Sequence, residues 1–190
     1  MTEKMFDFVK RKLSEKRFIH TMGTTKIAEE LSKIYNLDPT PVKKAAMLHD
    51  IAKDMPMEEQ VAILKKYNID LAEDELKSPG IIHGYVGAII SKIEFDIEDE
   101  VYDAIFYHPT GHPDFKNVGK ILFLADYLDP SRRLKRQKDI LNIAKEDFSN
   151  GIVETVKEKI NYIILKKCYI HPLTIKFYNK LIENYNYCKS

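Results

Sequence analysis

Apolar residues recur every three or four positions along almost the whole chain, and Pro, Gly or Asp interrupts them at intervals suited to helices of about 10 to 20 residues. That spacing predicts an all-α fold, a bundle with short connections. With 7 Gly and 8 Pro in 190 residues there is little turn chemistry for an all-β sandwich. Met5, Phe6, Phe8, Val9 and Leu13 define a first helix, and residues 18–35 a second with Thr24, Ile27 and Leu31 on its inner stripe. Asp38 or Thr40 can cap a third that starts at Pro41 and runs to about Lys53. Pro56 starts a fourth, Ser78 and Pro79 open a fifth through Ile90, and Asp96 or Glu98 begins a sixth ending near His108. Two prolines and a glycine in residues 108–113 force a loop before a seventh helix over 117–128, which Asp129-Pro130 ends. Runs at 140–144, 152–165 and 173–187 give two or three more helices.

The 44% hydrophobic content can fill the core of one domain spanning residues 1–190, with the helices from about residue 134 packing on the main bundle. Thirty Lys plus Arg against 29 Asp plus Glu leave a net charge of +1, so no global electrostatic excess points to nucleic acid or membrane. Cys168 and Cys188 form neither a paired metal motif nor a disulfide framework and read as free thiols in a reducing compartment. A charged beginning and the absence of roughly 18 uninterrupted apolar residues lead us to expect a soluble, cytoplasmic protein.

The histidines carry the chemistry. His20, His49 and His83 fall on the inward faces of expected helices: His20 shares the stripe of Thr24 and Ile27, His49 follows Ala45 and Ala46, and His83 precedes Val86 and Ile90. Each by itself reads as a hydrogen-bonded core histidine; several together read as ligands. Asp50 follows His49 directly, and neighbours on a helix point about 100° apart, so one can bind one metal while the other bridges to a second. An ionised Asp beside Met47, Leu48 and Ile51 is costly unless a cation or donors neutralise it. The same holds for Asp126, inside a helix whose Leu122 and Phe123 share its face.

Separated His20, adjacent His49 and Asp50, then His83, His108 and Asp126 resemble the histidine-aspartate (HD) phosphohydrolase superfamily, whose fold is an HD-domain helical bundle. The local words Arg17-Phe-Ile-His20, Leu48-His-Asp-Ile-Ala-Lys53, Ile82-His83-Gly84, Tyr107-His108 with Thr110-Gly111, and Leu124-Ala-Asp-Tyr-Leu-Asp-Pro-Ser-Arg132 are similar to its YqeK branch of symmetrical diadenosine tetraphosphate hydrolases. Pro109 stands where that branch commonly has Thr, and His112 aligns with no family ligand. The resemblance implies that His20, His49, Asp50 and Asp126 hold one metal and that Asp50, His83 and His108 hold another. It also implies that both ions are iron; mixed imidazole and carboxylate ligands are equally compatible with manganese, cobalt or zinc, divalent or of mixed valence.

Asp50 and Lys53 are the candidate catalytic residues. Lys53, Arg17, Arg132, Thr110 and Gly111 are candidate substrate contacts, each with a plainer alternative as solvated side chain or ordinary turn. The basic run over residues 131–138 reads as a polyphosphate catcher or, more simply, a solvated helix face. His112 reads as an exposed loop histidine, and His171 has no ligand near it in sequence. The expected partner is a nucleotide substrate, with a homodimer allowed and neither nucleic acid nor membrane. The resemblance implies cleavage of diadenosine tetraphosphate into two ADP; a guanosine polyphosphate or deoxynucleotide substrate, or a non-catalytic nucleotide sensor, are the alternatives.

Overall fold

The apolar stripes fold as helices that meet along their inner faces. The computed structural model describes residues 3–185, where the regular elements are α1 (Glu3–Lys12), α2 (Glu15–Ile34), α3 (Pro39–Leu48), α4 (Met57–Lys66), α5 (Glu73–Lys77), α6 (Ile82–Phe95), α7 (Asp99–Tyr107), α8 (Asn117–Leu128), α9 (Gln137–Glu146), α10 (Phe148–Leu165) and α11 (Pro172–Tyr185). Cys188 and the last residues expected in the final helix lie outside the described residues. No helix among those described is long and apolar enough to cross a membrane.

Helices α2, α3, α7 and α8 pack against one another as the centre of the bundle. Leu31, Met47, Leu48, Ile105, Ile121, Leu122 and Leu124 are fully buried there, so all four helices have their positions set by one shared apolar core. Helix α6 lies on α7, and α4 lies on α6 over a second cluster built around Leu64, Ile82, Tyr85 and Val86. Helix α10 packs on α8, α9 and α11, and the C-terminal helices reach the bundle further through the Tyr35 hydroxyl at the end of α2 on the Ala144 carbonyl of α9 and through the Thr174 hydroxyl of α11 on the Thr110 carbonyl.

Local chemistry explains the boundaries. Asp38 accepts a hydrogen bond from the Thr40 amide at 2.8 Å and caps α3, which begins at Pro39, two residues before the expected start. Asp147 caps α10 by accepting from the Asn150 amide at 3.0 Å.

Three expectations need correction. Helix α3 ends at Leu48 rather than near Lys53: beyond it the bonds tighten to three-residue spacing, with the Ile51 amide on the Leu48 carbonyl and the Lys53 amide on the Asp50 carbonyl. The His49 ring occupies the Ala46 carbonyl, the acceptor that another turn of α-helix would use. The basic run is not a helix face either: Pro130–Arg132 is a single 3-10 turn, Arg133 takes a left-handed backbone, and α9 starts only at Gln137, whose side chain ties down the Tyr127 and Asp129 carbonyls. Helix α5, one short turn rich in acidic residues, has no counterpart among the expected helices, because five residues are too few to show a period.

Gly111 is the glycine that the loop after α7 requires. Its φ is +76°, and a Cβ there would overlap the Phe177 ring of α11. A methyl group added at Gly80, by contrast, would meet nothing within 4 Å. Gly111→Ala should lower unfolding stability by about 1–3 kcal/mol, whereas Gly80→Ala should stay within roughly 0.5 kcal/mol of wild type. Urea midpoints that move equally for the two variants would refute this account of the loop.

Candidate metal centre

Three of the ligand-type histidines sit where helices begin or end. His49 follows α3, His108 follows α7, and His83 lies in the first turn of α6. Carbonyls in the last turns of α3 and α7 lack a helical partner, and the 3-10 turn before α6 offers that of Gly80. Each ring uses one: Nδ1 donates to the carbonyl three residues earlier, His49 to Ala46, His83 to Gly80 and His108 to Ile105, all at 2.7 Å. His20, in mid-helix, has no free carbonyl, and its Nδ1 donates instead to the Asp129 carboxylate at 2.8 Å. All four rings thus turn Nε2 towards a common centre.

That centre is Asp50, 2% exposed. Its two oxygens face different partners. Oδ2 lies 3.5 Å from His20 Nε2 and 3.4 Å from His49 Nε2, while Oδ1 lies 3.1 Å from His83 Nε2 and 3.7 Å from His108 Nε2. Asp126 Oδ1 joins the first side, 3.0 Å from His20 Nε2 and 3.7 Å from His49 Nε2. Two groups of donor atoms, His20 with His49 and Asp50, and Asp50 with His83 and His108, therefore share one carboxylate, each group close enough to surround one ion.

The donors suit divalent metal ions. His49 Nε2 is buried with no hydrogen-bond partner. The Nε2 atoms of His83 and His108 face each other at 3.1 Å although both rings already donate through Nδ1, so two lone pairs converge unless a cation or proton lies between them. Imidazole with carboxylate selects transition metals over magnesium. The C-terminal ends of α3 and α7 also turn their negative dipole ends towards this point.

Electrostatics agree. Burial would lower His49, yet the Asp50 and Asp126 carboxylates push it up to about 10. Burial and the neighbouring His49 and His83 drive His108 down to about 3, against the pull of Asp50. Burial also acts to raise the two carboxylates, but the imidazoles around Asp50, and Arg132 with His20 and His49 around Asp126, hold both well below the usual carboxylate range.

The basic candidates gather at the same place. Arg17 Nη1 donates to Asp50 Oδ2 at 2.7 Å, Arg132 donates to Asp126, and Lys53 Nζ lies 3.3 Å from His83 Nδ1. Thr110 and Gly111 do not join them as open donors. The Thr110 hydroxyl donates to the Tyr107 and Gly111 carbonyls, and the Gly111 amide donates to the Tyr107 carbonyl at 2.7 Å. His112 is half-buried against the Tyr107 ring rather than exposed. His171 is buried, with its Nδ1 accepting from the Leu173 amide and its Nε2 3.5 Å from Glu75.

A family profile described as HD domain matches residues 17–131. This chain belongs to the HD-domain family. Within that family it has relatives that match over nearly their full length: it is 32% identical to the symmetrical bis(5'-nucleosyl)-tetraphosphatase of Halalkalibacterium halodurans, over 94% of this chain and 96% of that one. It is 34% identical to the enzyme of the same name from Staphylococcus aureus, over 97% and 93%. Among solved structures, that of a predicted HD superfamily hydrolase involved in NAD metabolism from Clostridium acetobutylicum superposes with a TM-score of 0.91, at 31% identity, covering 96% of this chain and 97% of the other.

Asp129 does not stand out in the sequence, where it reads only as a helix terminator. It is buried, it holds the His20 ring, and it accepts from the Ser131 hydroxyl. Gly23, one turn beyond His20, makes room for it: a Cβ there would overlap Asp129 Oδ1. A small residue on the inner face one turn after a ligand histidine is the available signal. Asp129→Ala and Gly23→Ala should both weaken metal retention by about 10- to 100-fold. Competition with a chelator reads this directly, and retention equal to wild type in Asp129→Ala would remove Asp129 from its role.

Since His49 rises to about 10, an ion that takes its Nε2 lone pair displaces a proton at every pH below that value. Apparent metal affinity should therefore rise with pH between 6 and 8, by roughly tenfold per unit for each proton displaced. Calorimetry in two buffers of different ionisation enthalpy should find at least one proton released per chain; a buffer-independent heat would contradict this.

Proposed function

We propose that this chain is a metal-dependent hydrolase that cleaves diadenosine tetraphosphate symmetrically into two ADP. The observation that carries the reading is the position of Asp50, whose two oxygens face two separate histidine groups in a chain alignable almost end to end with symmetrical tetraphosphatases. His20, His49, Asp50 and Asp126 would hold one ion, and Asp50, His83 and His108 the other; iron is the proposed metal, with manganese, cobalt and zinc compatible with the same donors. Bound in such a pair, divalent ions supply an activated water and offset charge on the phosphoryl group being attacked.

The protein's own residues do the remaining work. Four imidazoles anchored through Nδ1 keep the donor set in place before substrate arrives, which removes reorganisation from the reaction. Arg17, Arg132 and Lys53 stand around the same carboxylates and can donate to phosphate oxygens through charge-assisted hydrogen bonds. Where the chain is cut depends on which phosphorus these donors place at the centre, so an ADP-sized grip yields ADP twice. We take residues 1–190 to act as one cytoplasmic unit whose C-terminal helices belong to the enzyme.

Asp50→Ala should lose both metal and nearly all turnover, since it removes a donor from both groups. Wild-type protein, reconstituted with ferrous iron or manganese, should convert diadenosine tetraphosphate to ADP as essentially the only nucleotide product, with one solvent oxygen label on one of the two ADP molecules. AMP with ATP in equal amounts would overturn the symmetrical grip. Rapid hydrolysis of a guanosine polyphosphate or a deoxynucleotide, with diadenosine tetraphosphate untouched, would overturn the substrate.

A further inference from the structure

Helix α10 lies beyond the matched HD segment and packs on α8. Its inward stripe runs through Ile152, Thr155 and Val156, all buried. Lys159 is the next residue on that stripe, three positions after Val156. Its Nζ lies 4.6 Å from the centre of the Phe123 ring, three residues before Asp126 on α8. The side chain is half-buried, and among the described residues no carboxylate or other acceptor is bonded to its ammonium.

The two arginines near the centre have carboxylate partners: Arg17 has Asp50 and Arg132 has Asp126. Lys159 has an aromatic face. Phe123 and Asp126 lie three residues apart on one face of α8, so the ring contact sets the ammonium beside the metal centre, where Asp126, Arg132 and Lys53 are the charges that act on it. Burial is the main reason that it is pushed down to about 8, a sign that it lacks the counter-charge its position calls for. Packing over a ring offsets only part of that cost. A multiply charged anion running past Arg132 and Lys53 would offset the rest, and a phosphate chain is such an anion.

We propose that Lys159 is a phosphate-binding residue that, with Arg132 and Lys53, grips the stretch of a nucleoside polyphosphate next to the phosphoryl group held at the metal centre. It favours nucleoside diphosphates and longer chains over monophosphates, because only they carry a second phosphate to reach it. The identity of the substrate rests on the function proposed above; the grip on ADP does not.

Calorimetric binding to the full-length, metal-loaded protein tests this, with ADP, AMP and inorganic tripolyphosphate as probes. Lys159→Met keeps the length of the stem and removes the charge. It should weaken ADP and tripolyphosphate binding by about tenfold or more and AMP by less than about threefold, with metal content unchanged. Lys159→Arg should stay within about threefold for ADP, and Lys157→Met, the same charge change on the exposed side of α10, should behave as wild type. With diadenosine tetraphosphate the loss in Lys159→Met should appear in KM, with kcat nearly intact. ADP affinity within about twofold of wild type in Lys159→Met, or in Lys159→Gln if the methionine variant does not fold, overturns the proposal, as does a wild-type protein that fails to bind ADP. A wild type that binds ADP tightly yet leaves diadenosine tetraphosphate intact defeats the substrate reading, while the variants still decide the grip.

Discussion

A carboxylate held almost out of water is the constraint around which this protein is organised. Asp50 cannot stay ionised in an apolar bundle without cations or donors, since an uncompensated buried charge costs several kcal/mol. The fold answers with four imidazoles and an arginine, each within 3.7 Å of its oxygens. Because each oxygen of Asp50 looks at a different pair of histidines, the solution to the burial problem is also a site for cations. Core packing and chemistry are here the same requirement.

Rigidity of the donors comes from backbone that helices leave unpaired. Helix ends normally turn their spare carbonyls to solvent or to capping groups. Here the ends of α3 and α7 and the turn before α6 spend them on imidazole Nδ1 atoms. One bond does three things: it satisfies a buried carbonyl, sets the tautomer, and leaves Nε2 as the inward lone pair. His20 lies mid-helix, where carbonyls are already used, and so it depends on a side chain from elsewhere, Asp129, and on a glycine that lets that side chain approach.

The helices after the matched segment complete the surroundings. Helix α11 braces the loop after His108 through the Thr174 hydroxyl on the Thr110 carbonyl and through Phe177 against Gly111. Helix α10 brings Lys159 over Phe123. Both contacts reach the centre through its supporting wall, α8 and the loop, rather than through the donor atoms themselves.

The helical class, most helix positions and five of the histidine and aspartate positions of the centre were legible in the sequence, because helical period and ionisable residues on apolar stripes are local properties. His20, His49, Asp50, His83 and Asp126 stand out as polar residues where a core residue is due, and the family resemblance adds His108. What period alone does not show is how the chain leaves a helix: α3 stops at Leu48 because a side chain takes a backbone acceptor, a competition invisible to spacing. Asp129 and Lys159 are hidden for a different reason. One looks like a helix stop and the other like one lysine among many, and their roles arise from contacts with His20 and Phe123, 109 and 36 positions away in the chain. Residue type and period determined which elements form and which side chains turn inward; only the packing of those elements decided which inward side chains meet, because contact across the core depends on how helices dock and not on any interval within one of them.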